Sequence, residues 1–300
     1  MSIPPPAEIE RIAYLGTPAA AVPPLRALRE AGYEIPLVVS RPDTRRGRGA
    51  DLEPSPVKAA ALDLGLEVSD DLEDVAGVGA ALGVVVAYGE IIPSALLEQL
   101  PMVNLHFSLL PRWRGAAPVE RAILAGDEAT GVSLMVVDEG LDTGALYRRA
   151  EISIAPDEDS GALRARLVAL GTEVLIEALA EGLGEPEPQA GEPVYAQKIT
   201  TEDRRIDWTQ PAVQIRRQVR VGGAWTTFRG QQFKIWRTAV RSAHVAQELR
   251  ADLPGSISGL SVATGEGRID LLEVQAQGRT RQAAFAWHNG ARLRPEDRFV

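Results

Sequence analysis

Short, largely apolar runs alternate with helical stretches over the first third of the chain. Residues 11–16 form an apolar run ending at Gly-Thr-Pro, an alanine- and leucine-rich stretch follows to Ala31, and residues 35–39 are apolar again. This reads as strand, helix, strand. Residues 80–87 predict a third, buried strand, residues 93–100 a helix with proline in its first turn, and residues 102–107 a fourth strand. Further on, the window 130–144 reads as a strand followed by a glycine-flanked loop. From 159 to 183, Leu163, Leu167, Leu170, Val174, Ile176 and Leu179 recur at helical spacing. The prolines and glycines of 184–193 prevent regular structure. After a basic helical stretch at 212–221, alternating runs at 232–238, 255–262 and 269–275 are separated by glycine-rich turns.

The alternation predicts an α/β unit with a Rossmann-like, doubly wound, mostly parallel sheet over residues 1–183. A linker spans 184–206, and a small OB-like β-barrel spans 207–300. Doubly wound sheets hold ligands outside the carboxyl ends of their strands. The residues to scrutinise therefore follow Leu15, Val39, Ala87 and His106. The first turn, Gly16-Thr17-Pro18, carries no G-x-G-x-x-G, which argues against a dinucleotide site; G-x-S-x-G and the phosphate-binding lysine motif are absent too.

Composition narrows the chemistry. A chain of 300 residues with 45% hydrophobic and 24% charged residues suits two globular domains. It has no cysteine, which excludes disulfides and thiolate chemistry, and its histidines, His106, His244 and His288, are too scattered for a zinc centre; no metal is expected. No apolar run nears the length of a membrane span and no targeting segment opens the chain, so the expected location is cytoplasmic, without a membrane partner. The net charge of −9 is uneven: residues 207–300 hold 14 Lys plus Arg against 8 Asp plus Glu. An acidic body with a basic tail suggests that the tail meets a polyanion.

The window 102–118 is the most informative. In an extended strand alternate side chains share a face, so Asn104 and His106 project together, about 7 Å apart. Ser108-Leu-Leu-Pro111 then turns into a Trp and Arg cluster. Asp142 lies between glycines in the second window; alone, such an acid is more often only a turn residue. The combination Asn-x-His, Ser-Leu-Leu-Pro and, further on, Leu-Asp-x-Gly resembles the folate-dependent formyltransferase family. Gly16-Thr-Pro18, Pro54-Ser-Pro-Val-Lys58, Arg112-Trp-Arg-Gly-Ala-Ala-Pro118, Tyr195-Ala-Gln-Lys198 and Ile206-Asp-Trp208 extend the likeness over nearly the whole chain, toward the members that act on charged tRNA.

The resemblance implies transfer of a formyl group from 10-formyltetrahydrofolate to the amine of initiator methionyl-tRNA by a monomer, with Asn104, His106 and Asp142 at the reacting centre. It implies a reduced-folate pocket formed by Val86, Ala87, Tyr88, Gly89, Ile91, Ser108, Leu109, Leu110, Pro111, Asp138 and Leu141. It assigns tRNA contacts to Arg45, Arg46 and Arg48 in a basic loop; Arg216, Arg217, Arg220 and Lys234 are further candidates in the basic domain. Two departures stand out: Ala50 and Asp51 replace common lysines, and 221–225 is shorter than is usual. Formyl transfer needs a donor for a developing oxyanion, met by the Asn104 amide, and a proton carrier, met by His106 with Asp142 to orient it. Which of His106 and Asp142 handles the proton is open at this point. A formyltransferase for a sugar-nucleotide or other small amine shares the trio, as does a formyltetrahydrofolate hydrolase; a non-catalytic binding protein is expected to lack a member of it.

Overall fold

The computed structural model describes residues 3–45, 52–241 and 253–300. Arg46, Arg48, Ala50, Asp51 and His244 lie outside these. The chain divides into two compact units: residues 1–119, 128–153 and 162–197 form the first, and 120–127, 154–161 and 198–300 the second.

The first unit runs β1 (Ile12–Gly16), α1 (Val22–Glu30), β2 (Val38–Val39), β3 (Thr44–Arg45), β4 (Leu52–Glu53), α2 (Pro56–Asp63), β5 (Val68–Ser69), β6 (Leu82–Val86), α3 (Ser94–Leu97), β7 (Met102–His106), β8 (Arg112–Arg114), α4 (Pro118–Ala125), β9 (Ala129–Val136), β10 (Leu146–Ser153), α5 (Ser160–Glu181) and β11 (Val194–Tyr195). Both α4 and α5 begin or end in the second unit's segments. Seven strands make one sheet in the order β10-β9-β7-β6-β1-β2-β5. The five on the β7 side pair in parallel, whereas β9 runs antiparallel to β7 and β10 antiparallel to β9. The central strands β1 and β6 are buried along their whole length, as continuous apolar runs require. Ser55 caps α2 by accepting the Lys58 N–H, with Pro56 in the first turn. Strand β10 had no reading in the sequence: its Arg148, Arg149 and Glu151 interrupt the apolar pattern because it is an edge, where charge deters further pairing. Helix α3 is a single turn, with Pro93 at its N-cap, shorter than the predicted 93–100.

The second unit contains α6 (Ala212–Val221), β12 (Trp225–Phe228), β13 (Gln231–Val240), β14 (Ile257–Ser258), β15 (Ser261–Ala263), β16 (Arg268–Ala276), β17 (Gln282–Ala283) and α7 (Ala284–Ala291). The sheet order is β12-β13-β16-β15-β14, with β17 beside β16. The predicted strand 255–262 is thus two short strands around a turn. The C-terminal residues join the outer strands: Phe299 bridges to Phe228 at the end of β12, and Arg298 to Ser256 before β14. This covers edges that would otherwise be open. Phe299 stacks on Trp208 at 5.4 Å and packs on Phe233 at 5.2 Å in the core, against which Trp287 of α7 also sits.

Candidate active site

Register across three neighbouring strands builds the site. Val85 on β6 lies opposite Asn104 on β7, and Asn104 opposite Met135 on β9. These three side chains share one face of the sheet and line a cavity of about 140 Å³ with Glu90, Ile91, Ile92, Val137, Asp138, Glu139, Gly140, Leu141 and Asp142. Leu105, between the two polar residues, turns to the other face and packs near Gly171 of α5. The period of two therefore separates a core position from two polar ones on the same strand.

Asp142 reaches this face from the loop after β9. Its Oδ1 lies 3.5 Å from the Asn104 amide nitrogen, and its Oδ2 lies 3.6 Å from His106 Nδ1 and accepts the Gly115 N–H at 2.6 Å. His106 Nε2 lies 2.9 Å from the Trp113 carbonyl oxygen. A carbonyl can only accept, so Nε2 carries a hydrogen, and Nδ1 is the nitrogen that faces the carboxylate. His106 is buried and the Asp142 side chain nearly so, in surroundings that strengthen charge interactions between them.

Local backbone chemistry holds the two ends. Trp113, at φ +69, aims its carbonyl at His106, and Asp142 itself sits at φ +54. A side chain on Gly144 would collide with the carbonyl oxygen of Val136, which explains the glycine of Leu-Asp-x-Gly: the loop returns directly over β9. Gly115, at φ +114, approaches the Ala196 carbonyl too closely for a Cβ while donating to Asp142. Ser133 of β9 accepts the Leu110 N–H and donates to the Ser108 carbonyl, pinning the turn after β7.

The folate candidates divide. Ile91, Asp138 and Leu141 line the cavity, and Ile91 and Leu141 are exposed at 84% and 59%, unusual for such apolar side chains. Asp138 also shapes the loop, accepting the Gly140 N–H and the Thr143 hydroxyl. Ala87 and Gly89 are exposed at positive φ, so their backbone is what they offer. Val86, Tyr88, Ser108 and Leu110 are buried, while Leu109 and Pro111 are partly covered. Burial, and then the Glu90 carboxylate, push the Tyr88 hydroxyl up to about 12, so it stays protonated. Sequence reasoning missed Ile92, Met135 and Val137 on the cavity wall. Met135 was within reach, since it alternates with Ser133 and Val137 along a strand beside β7.

The arginines chosen for nucleic acid behave differently. Arg45 is exposed on β3. In the second unit, Arg220 donates to the carbonyls of Glu158 and Ala155, Arg216 donates to that of Pro156 and pairs with Asp157, and Arg217 donates to that of Ala125. Burial, with Arg216 nearby, lowers the Arg220 pKa from its usual value. Lys234 lies 5.8 Å from the Trp236 ring centre.

Residues 10–179 match the family described as Formyl transferase, and residues 198–292 match Formyl transferase, C-terminal domain. The chain is a member of the formyl transferase family. The chain is 43% identical to the methionyl-tRNA formyltransferase of Ruegeria pomeroyi, over 93% of this chain and 97% of that one. It is also 43% identical to the enzyme of that name in Solibacter usitatus, over 94% and 96%. The chain belongs to the methionyl-tRNA formyltransferase family. Among solved structures, the fold matches HypX from Aquifex aeolicus in complex with tetrahydrofolic acid (TM-score 0.64, 18% identity), covering 94% of this chain and 47% of that one. It also matches an N-formyltransferase from Helicobacter canadensis in complex with folinic acid and dTDP-3-aminofucose (TM-score 0.65, 16% identity; 89% and 99% covered).

Proposed function

We propose that the chain transfers the formyl group of 10-formyltetrahydrofolate to the amino group of methionine on initiator methionyl-tRNA, with Asn104, His106 and Asp142 acting on one carbonyl carbon. The observation that carries this reading is their convergence from two separate stretches: Asn104 and Asp142 line one cavity, and the His106 imidazole sits against the Asp142 carboxylate. When the amine attacks, the carbonyl oxygen gains negative charge; the Asn104 Nδ2 donates to it, a role worth about 3 to 4 kcal/mol where such a donor is removed. The attacking nitrogen must lose a proton. His106 Nδ1 takes it, because Nε2 is committed to the Trp113 carbonyl. The resulting imidazolium faces the Asp142 carboxylate, held in place by the Gly115 N–H, and the proton then passes to the leaving nitrogen. The exposed Ile91 and Leu141 flank the cavity as apolar walls for the flat ring of the folate.

Relatives named for methionyl-tRNA at 40–43% identity across almost the full length support the tRNA amine over a sugar amine, whose enzymes are related here by fold alone. The basic second domain supports the same choice. Arg45, Arg46 and Arg48 remain the proposed contacts to the tRNA, with Lys234 a further one, while Arg216, Arg217 and Arg220 already donate to backbone carbonyls. The deciding assay supplies 10-formyltetrahydrofolate and charged initiator tRNA and asks whether the aminoacyl nitrogen becomes formylated. Formylation of a sugar-nucleotide amine alone would overturn the reading.

A further inference from the structure

The stretch that its prolines and glycines mark as a linker is attached to the candidate site. Glu187 exchanges two backbone hydrogen bonds with Leu146, at 2.7 and 2.9 Å. Val194 donates to the Pro111 carbonyl and Ala196 to that of Arg114, pairing β11 with β8. Between these attachments the half-buried Gln189 makes four side-chain contacts. Its Nε2 donates to the carbonyls of Asp142 at 2.8 Å and Gly144 at 2.9 Å, while its Oε1 accepts from Arg114 Nε at 3.1 Å and Nη2 at 2.6 Å. The partners settle the orientation of the amide. Rotated, it would set its oxygen against two carbonyls and its amino group against a guanidinium.

Asp142 needs such a restraint. A non-glycine residue at φ +54 is in strained backbone that persists only where its surroundings over-determine it. Gln189 grips the loop by the carbonyl of Asp142 and by another two residues on. Through Arg114 it joins the loop to the segment that supplies the Trp113 carbonyl to His106 and the Gly115 N–H to Asp142. One amide thus links the supports of the imidazole and of the carboxylate without facing the reacting atoms.

We infer that Gln189 is a positioning residue for formyl transfer, holding the Asp142 loop at the distance from β8 that sets the carboxylate against His106 and Asn104. This rests on the reading of Asp142 proposed above. Two variants test it: Gln189→Leu removes all four contacts at similar bulk, and Gln189→Glu keeps an acceptor for Arg114 while losing both donors to the loop. Each is expected to lower kcat by about 10- to 100-fold, the range set by a carboxylate displaced by about 1 Å, with KM for 10-formyltetrahydrofolate and for methionyl-tRNA little changed. In single-turnover measurements, adding Gln189→Leu to Asp142→Ala is expected to leave the residual rate within about twofold, because the two act through one group. Unchanged kcat in both Gln189 variants overturns the inference. So does a loss in the Asp142→Ala background as large as in the wild type, which marks a role not passing through Asp142. Near-normal transfer by Asp142→Ala itself contradicts instead the underlying reading of the site.

Discussion

The cavity wall of the first unit and the basic helix of the second both carry polar groups, and these are used in opposite ways. Around Asp142, donors and acceptors come from β7, the β8 turn and the loop after β9, and the Asn104 amide and His106 Nδ1 face the carboxylate at 3.5 and 3.6 Å. Along α6, Arg216, Arg217 and Arg220 donate to backbone carbonyls of segments 154–161 and 120–127, which belong to the same unit. The first arrangement leaves groups turned toward a cavity; the second commits its donors to backbone carbonyls. A residue count sees only that both regions hold polar side chains, whereas geometry separates chemistry from scaffolding.

That contrast can be broken at several points. The largest effect is expected from Asn104→Ala, His106→Ala and Asp142→Ala, each lowering the rate of formyl transfer by about 10² to 10⁴ in a steady-state assay, with unchanged far-ultraviolet circular dichroism. Gly144→Ala touches no substrate, yet it forces the Asp142 loop off the Val136 carbonyl and should reduce kcat by about 100-fold. On α6 the expected currency is stability. Arg220→Ala leaves the carbonyls of Glu158 and Ala155 without their charged donor and should cost about 1 to 3 kcal/mol in denaturant unfolding of the second unit. Were Arg220 chiefly a phosphate contact, its loss would instead show as a shallower salt dependence of tRNA binding.

The smallest effect concerns pH. The Arg229 guanidinium, then the Arg294 N–H, hold the Asp297 carboxyl down to about 2. A depressed carboxylate stabilises the fold above its unfolded value of about 3.9 and loses that contribution as pH falls through the folded one. Asp297 lies two residues before Phe299, which bridges to Phe228 at the end of β12. Asp297→Asn should therefore flatten the acid limb of the stability profile between about pH 4 and about pH 2, followed by thermal unfolding.

Much of this was legible in the residues. The buried strands announced themselves as continuous apolar runs, and helix α6 falls where its pattern predicted, at Ala212–Val221. Asn104 and His106 were readable as a pair because a period of two is a local property. Other features were not, since they depend on contacts distant in sequence. The antiparallel edge β10 carries charge where a core strand would not. The closure by Phe299 joins residues about seventy apart. Gln189 looked like one more polar residue in a proline-rich stretch, and its value appears only once the carbonyls of Asp142 and Gly144 are brought to it. Met135 joins the cavity through its register opposite Asn104.

The most direct measurement is a single-turnover comparison of His106→Ala, Asp142→Ala and the double variant, with 10-formyltetrahydrofolate and methionyl-tRNA both saturating. If imidazole and carboxylate work as one unit on the migrating proton, the double variant will be no slower than the worse single one to within about threefold. Losses that multiply would mean that the two groups act independently, and would contradict the account.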